Sequence, residues 1–310
     1  MCHSLSSLPR LALLATGGTI AGSGPQESYA AAALGAEALL AAVPQLGTLA
    51  TWQTEQAFAL DSRDFTPTHW LALAARIQML QADPAIAAIL VTHGTDTLEE
   101  TALALHLLLP VNKPVVLTAA MRPADSLSAD GPLNLLHATR VALDPASRNR
   151  GVLVVANERI HAGRELAKIH THAPDALASP ASGAEGCVCG ATIAYLRPAG
   201  SPCPALLPRV SAAALPRVEI LPGHAGMDGA LLDAALAAGA RGLVLALAGH
   251  GSVPAALRST IARAVAQGVI VVRGSRIGPG VWRNHNENDD ALGTIAAARL
   301  NVVQARVLLI

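Results

Sequence analysis

Aromatic residues are nearly missing from this chain: Phe, Trp and Tyr together make up 2% of its 310 residues. So few flat faces argue against the base-stacking platforms of single-stranded nucleic-acid binders. An excess of charge is missing too, since 22 Lys and Arg balance 22 Asp and Glu. Nothing therefore draws the chain electrostatically to nucleic acid or to an anionic membrane. No apolar run approaches the ~20 residues of a membrane span, and Asp233 and Arg241 break up the richest region. Met1 to Arg10 lacks the charged-then-apolar pattern of a secretion signal, so the expected location is cytoplasmic. Cysteine is sparse: Cys2, Cys187, Cys189 and Cys203 offer one Cys-x-Cys and no second pair at ligand spacing. They read as incidental thiols, with no metal. Lysine is scarcer still, with only Lys113 and Lys168 among many arginines. An amine can give up its proton where a guanidinium cannot, which makes Lys168 a candidate for chemistry.

What the chain has is Ala, Leu and Val, within an apolar content of 52%. Leu11 to Ala15 is a short apolar run suited to a strand buried on both faces. It stops at Thr16-Gly17-Gly18-Thr19, where two glycines permit a sharp turn with exposed N–H groups. Gly22 to Ser28 reads as a mobile loop with Tyr29 at its far end. Ala30 to Val43 reads as a helix, Thr48 to Ala59 as one or two strands. Thr66 caps a helix with Pro67 in its first turn. Ala85 to Val91 is a second buried strand, ending at Thr92-His93-Gly94-Thr95-Asp96. Helix 97–109, strand 114–118, helix 133–143 and strand 151–156 follow. Residues 157–196 are short strands and turns. Five prolines between Pro198 and Pro216 suggest a linker. A smaller set of strands and helices then runs from Arg217 to Ile310, and its last ten residues have helical spacing.

The alternation predicts an α/β protein. A larger N-terminal domain over 1–197 holds a doubly wound, mostly parallel sheet with right-handed crossovers, and a smaller C-terminal α/β domain spans 217–310. Thr19 and Thr95 each follow a glycine at the end of a parallel strand, so their hydroxyls are expected at one sheet edge. A threonine hydroxyl needs a base to become a nucleophile. Asp96 and Lys168 are the groups available, in the manner of Ser–Lys pairs, and the Gly17, Gly18 and Gly94 backbone is suited to an oxyanion. The pattern is that of acyl transfer without a cofactor. A dinucleotide site does not fit, because Gly17 to Gly22 lacks the Gly-x-Gly-x-x-Gly spacing and a loop follows it. His161, His170 and His172 include a His-x-His spacing that zinc can use, but no motif requires it and they read as surface histidines.

Thr16 to Gly22 and His93 to Glu100 resemble the two signature motifs of the bacterial L-asparaginase (glutaminase–asparaginase) family. The likeness continues through Ala120-Met121-Arg122-Pro123, Ser128 to Pro132, Asn149 to Val155, Gly163 to Lys168 and Val271 to Arg276. The resemblance implies that Thr19 attacks a side-chain amide and that Tyr29 orients it, with Thr95, Asp96 and Lys168 as a second, base-supplying triad. It implies that Ser62 holds the substrate's α-carboxylate and Asp96 its α-ammonium. Ser252 and Glu287 would complete the site of a neighbouring subunit in a dimer of dimers. The expected activity is hydrolysis of L-asparagine to L-aspartate and ammonia, with possible glutaminase activity. The alternatives are a non-catalytic amino-acid sensor or a hydrolase of another small amide. Arg63 departs from the family pattern of Gln or Glu and would repel an ammonium unless it turns away or pairs with a carboxylate such as Glu287. Against the family pattern the chain is also expected to have a shorter flap before Tyr29, to lack the cysteines of the periplasmic members' disulfide, and to end short of the usual C-terminal helix.

Overall fold

The computed structural model describes residues 8–24, 28–110, 112–200 and 215–310. The Cys2 and Cys203 positions and most of the proline-rich segment lie outside these residues, as do Pro25, Gln26 and Glu27 of the loop before Tyr29. Two compact units divide the chain, 1–210 and 211–310.

The larger unit begins with β1 (Arg10–Gly17), whose Leu11 to Leu14 are at most 1% exposed. Each buried leucine contributes about 1.5–3 kcal/mol. There follow α1 (Ala36–Ala41), α2 (Leu46–Leu49), β2 (Thr51–Leu60), α3 (Pro67–Ala82) and β3 (Ile86–Thr92). Next come α4 (Leu98–Leu108), β4 (Val115–Thr118), α5 (Gly131–Leu143) and β5 (Val152–Ala156). The short strands β6 (Arg159–Ala162), β7 (Ala167–Lys168), β8 (Leu177–Ala178), β9 (Gly186–Cys189) and β10 (Thr192–Tyr195) complete it. Eight strands form one sheet in the order β10-β9-β6-β5-β4-β3-β1-β2, while β7 and β8 form a separate antiparallel pair. The five strands from β2 to β5 are parallel, and pairing turns antiparallel from β5 outward.

The hand of one crossover departs from expectation. Buried residues of α1, α2 and α5 share a core cluster with Leu11, Leu13 and Ala15 on one face of the sheet. The buried Leu73 and Ile77 of α3 and Leu98 and Leu105 of α4 do not belong to that cluster, and α3 packs on α4. In the order β5-β4-β3-β1-β2, the step from β1 to β2 runs opposite to the step from β4 to β5. Two opposite steps with helices on one face must have opposite hands. The β1–β2, β2–β3 and β3–β4 connections share the usual right hand, so β4–α5–β5 is left-handed, against a rule obeyed in about 98% of cases.

Two local expectations are also corrected. The helix expected over 30–43 is confined to 36–41, because Ala32 and Leu34 donate their N–H groups to the carbonyls of Gly18 and Ala21. Those backbone groups are then unavailable to a helix. Residues 48–49, expected as the start of a strand, instead end the short α2.

The smaller unit contains β11 (Val218–Pro222), α6 (Ala230–Ala237), β12 (Gly242–Leu247), α7 (Arg258–Ala266), β13 (Ile270–Ser275), α8 (Glu287–Asp290), β14 (Ile295–Ala296) and α9 (Val302–Leu309). Its four strands pair in parallel, β11-β12-β13-β14. Leu243, Leu245 and Leu247 feed one core and Val244 the other, so β12 is buried on both faces. The C-terminal α9 carries a capping box, with Asn301 and Gln304 satisfying each other's backbone N–H groups.

Candidate active site

The order β5-β4-β3-β1-β2 reverses between β1 and β3, and open α/β sheets bind ligands outside the carboxyl ends of the strands at such a point. Thr19 follows β1 and Thr95 follows β3. The two turns touch through glycine. A Cβ on Gly18 would lie 2.3 Å from the Gly94 Cα, and one on Gly94 would lie 2.6 Å from the Ser62 Oγ. Gly18 also has φ 76°, a conformation that a side chain disfavours. Below them the buried Thr16 hydroxyl donates to the Thr92 carbonyl at 2.9 Å, locking β1 to β3.

An open pocket of about 320 Å³ lies over this junction, and Thr19, Tyr29, Ser62, Thr95, Asp96 and Lys168 all line it. The Thr19 Oγ1 stands 2.7 Å from the Tyr29 hydroxyl. The Lys168 Nζ donates to Thr95 Oγ1 at 2.9 Å and to Asp96 Oδ1 at 2.5 Å. Lys168 is largely covered and Asp96 more than half exposed. Lys168 arrives on β7, whose pairing with β8 fixes its approach. The Gly18 N–H, expected to face an oxyanion, is instead taken by the Leu60 carbonyl at 2.9 Å. Among the described residues the Thr19 and Thr95 amides have no hydrogen-bond acceptor.

Tyr29 returns to the pocket on a segment tied down at both ends. Ser23 and Ala30 exchange backbone hydrogen bonds. The Asp125 carboxylate accepts from the Ser23 hydroxyl and the Gly24 N–H at 2.9–3.1 Å. These donors hold the Asp125 carboxyl below its ordinary range, the Gly24 N–H most strongly. Asp125 sits on the loop between β4 and α5. That loop is folded by Asp130, which accepts the N–H groups of Met121 and Arg122 at 2.9 Å and brings Met121 to the pocket wall.

Arg63 does not line the pocket. Its guanidinium pairs with Asp61 at 2.8 Å and its side chain is 73% exposed. Asp61, like Asp96, lines the wall, and it accepts the Arg63 N–H as well. Asp61, Met121, Thr171 and His172 are pocket residues that the sequence did not mark as such. No local sequence signal marks Asp61, because its pairing with Arg63 is set by the fold. His170 and His172 are exposed, with rings 4.6 Å apart. His161, expected at the surface, is buried, faces the Ser179 hydroxyl at 2.9 Å and is pushed down to about 4 by burial.

Ser252 and Glu287 belong to the smaller unit, where both are exposed. Asp289, 1% exposed, accepts the Val253 N–H at 2.9 Å and an Arg258 N–H at 2.6 Å. The fully buried Arg273 bonds Asp290, Thr294 and the Gly251 carbonyl. This network fastens the turn carrying Ser252 to α8, which begins at Glu287.

Comparison with known proteins agrees with this geometry. Residues 10–199 match the family model described as Asparaginase, N-terminal, and residues 217–310 match the Glutaminase/Asparaginase C-terminal domain. L-asparaginase 2 of Escherichia coli is 40% identical over 98% of this chain and 88% of its own length. The glutaminase-asparaginase of Pseudomonas aeruginosa is 37% identical over 97% and 85%. A crystal structure described as a probable cytoplasmic L-asparaginase from Campylobacter jejuni superposes with a TM-score of 0.90 at 34% identity, covering 97% of this chain and 93% of that one. The chain belongs to the asparaginase family, a family of amidohydrolases.

Proposed function

We propose that this protein hydrolyses the side-chain amide of L-asparagine to L-aspartate and ammonia, with L-glutamine as a second substrate. One observation carries the reading. Two threonines at the switch point each have their own partner, Thr19 the Tyr29 phenol at 2.7 Å and Thr95 the Lys168 amine at 2.9 Å. In this reading the Thr19 oxygen attacks the amide carbon, and the carbonyl electrons move onto oxygen. The Thr19 proton passes through Tyr29 to the amide nitrogen. The C–N bond breaks, ammonia leaves and an ester remains on Thr19. Water then adds to the ester, giving a proton towards Thr95 and Lys168, and Thr19 leaves with a hydrogen restored. The Thr95 amide donates to the oxyanion of both steps. Ser62 receives the α-carboxylate, and Asp96, with Asp61 beside it, the α-ammonium.

The names of the relatives support asparagine and glutamine as the substrates to test. Ammonia release from each is expected from the purified protein and is expected to be lost in Thr19→Ala. Retained activity in that variant would remove Thr19 from the mechanism. The sensor alternative rested on Arg63, whose turn towards solvent leaves that reading without support.

The same reading makes the protein a homo-oligomer, a dimer of dimers, in which Ser252 and Glu287 serve a neighbouring copy. Mixing Thr19→Ala with Glu287→Ala after co-refolding should regain activity that neither variant has alone. A cytoplasmic location is supported by the Campylobacter relative. Against it, a 39% identical Haemophilus influenzae relative is named periplasmic. Among the described residues no helix is long and apolar enough to cross a membrane.

A further inference from the structure

A file of buried polar groups, none of whose side chains lines the pocket, ends on the backbone of Gly94. The Trp70 Nε1 of α3 lies 3.1 Å from the Thr101 Oγ1 of α4. That oxygen lies 3.0 Å from the His93 Nε2, and the His93 Nδ1 lies 2.8 Å from the Gly94 carbonyl oxygen. Trp70 is 5% exposed and Thr101 and His93 are 0% exposed, so water does not compete for these bonds.

The direction of the file follows from chemistry. An indole N–H only donates, so the Thr101 oxygen accepts from Trp70. The single hydroxyl hydrogen of Thr101 then goes to the His93 Nε2. A ring nitrogen that accepts carries no proton, so in a neutral imidazole the proton is on Nδ1, and Nδ1 donates to Gly94. Burial pushes His93 down to about 4, which keeps the ring neutral near pH 7. The Phe65 ring, 4.5 Å away, packs against the imidazole.

We propose that Trp70, Thr101 and His93 are positioning residues, a one-way hydrogen-bond chain that sets the Gly94–Thr95 peptide for catalysis. In a trans peptide the N–H points opposite to the carbonyl. With the Gly94 carbonyl drawn towards the buried imidazole, the Thr95 N–H is turned away from it. Like the Thr19 amide, that N–H has no acceptor among the described residues. Gly94 has no side chain to resist rotation, and it is wedged between Gly18 and Ser62. The imidazole therefore supplies the angular restraint that glycine lacks. The role rests on the proposed attack by Thr19, since the Thr95 N–H matters most when negative charge develops on the amide oxygen.

The test pairs kinetics with a tautomer measurement. Thr101→Val keeps the shape and removes the hydroxyl; Thr101→Ser keeps the hydroxyl; Trp70→Phe removes the indole N–H together with part of the buried ring. With L-asparagine, Thr101→Val is expected to lower kcat by roughly 10- to 100-fold, up to the loss of a single oxyanion donor, with KM within about threefold. Thr101→Ser should restore kcat to within about twofold and Trp70→Phe should fall between. A folded Thr101→Val enzyme with wild-type kcat overturns the proposal. The ¹⁵N spectrum of wild-type protein labelled at histidine, with His93→Gln for assignment, should show a neutral ring protonated on Nδ1. Protonation on Nε2 overturns the proposal whether or not any variant folds. Wild-type protein that releases no ammonia overturns the hydrolase reading instead, and the tautomer still reports the direction of the chain.

Discussion

Tyr29 meets Thr19 through a single oxygen, so Tyr29→Phe is a clean removal of one group. It should lower kcat by about 10²–10³-fold with a smaller change in KM, the range for losing a positioned proton carrier. Steady-state ammonia release measures it. Asp61 and Arg63 divide differently. Arg63 is 73% exposed, and exposed ion pairs are worth little, so Arg63→Gln should shift KM for either amide by less than about threefold. Asp61 lines the pocket, so Asp61→Asn should raise KM more than Arg63→Gln does, with kcat less affected. The opposite order would return Arg63 to the substrate site. Thr19, Tyr29, Ser62, Thr95, Asp96 and Lys168, singled out from local motifs, all line one pocket. No local motif showed where Arg63 points, which depends on Asp61 folding it back in three dimensions.

At the scale of elements, the site is built where two turns come together. Gly18→Ala would set a Cβ 2.3 Å from the Gly94 Cα at φ 76°. It should lower Tm and cost kcat at least about 10²-fold, as small displacements of reacting groups do. A melting curve with single-turnover kinetics would separate the two effects. The segment carrying Tyr29 depends on Asp125. Asp125→Ala removes the acceptor for Ser23 and Gly24. It should speed hydrogen exchange at residues 23 and 24 and lower kcat without unfolding the protein. Buried strands and long helices were legible from apolar runs and capping signals, as at Thr66-Pro67. The short α2 was not, nor was the return segment 30–34, whose shape is decided by backbone bonds from Ala32 and Leu34 to Gly18 and Ala21. Nothing in the local sequence encodes those partners.

For the whole molecule, buried imidazoles link stability to acidity. His93, His106 and His161 are each pushed down to about 4, chiefly by burial. Their ordinary value of about 6.5 holds in the unfolded chain. Between these values the unfolded state binds protons that the native state refuses. Stability should therefore fall as pH drops from about 6.5 towards about 4, by up to about 1.4 kcal/mol per pH unit for each histidine, and these groups add no slope above about 7. Tm measured across this range in constant ionic strength checks the sign. The doubly wound architecture was visible in the strand and helix alternation, but the hand of β4–α5–β5 was not. Handedness is decided by which face of the sheet α5 covers, and the apolar spacing of a helix is the same on either face.

That reversed crossover places α5 on the face occupied by α1 and leads into it through the loop bearing Met121 and Asp125. It is also a mark of descent. Point substitutions change side chains one at a time, but none of them can carry a helix from one face of a sheet to the other while the strands stay paired. Because about 98% of such crossovers are right-handed, sharing both this strand order and this hand is stronger evidence of common descent than sharing the residues around the pocket.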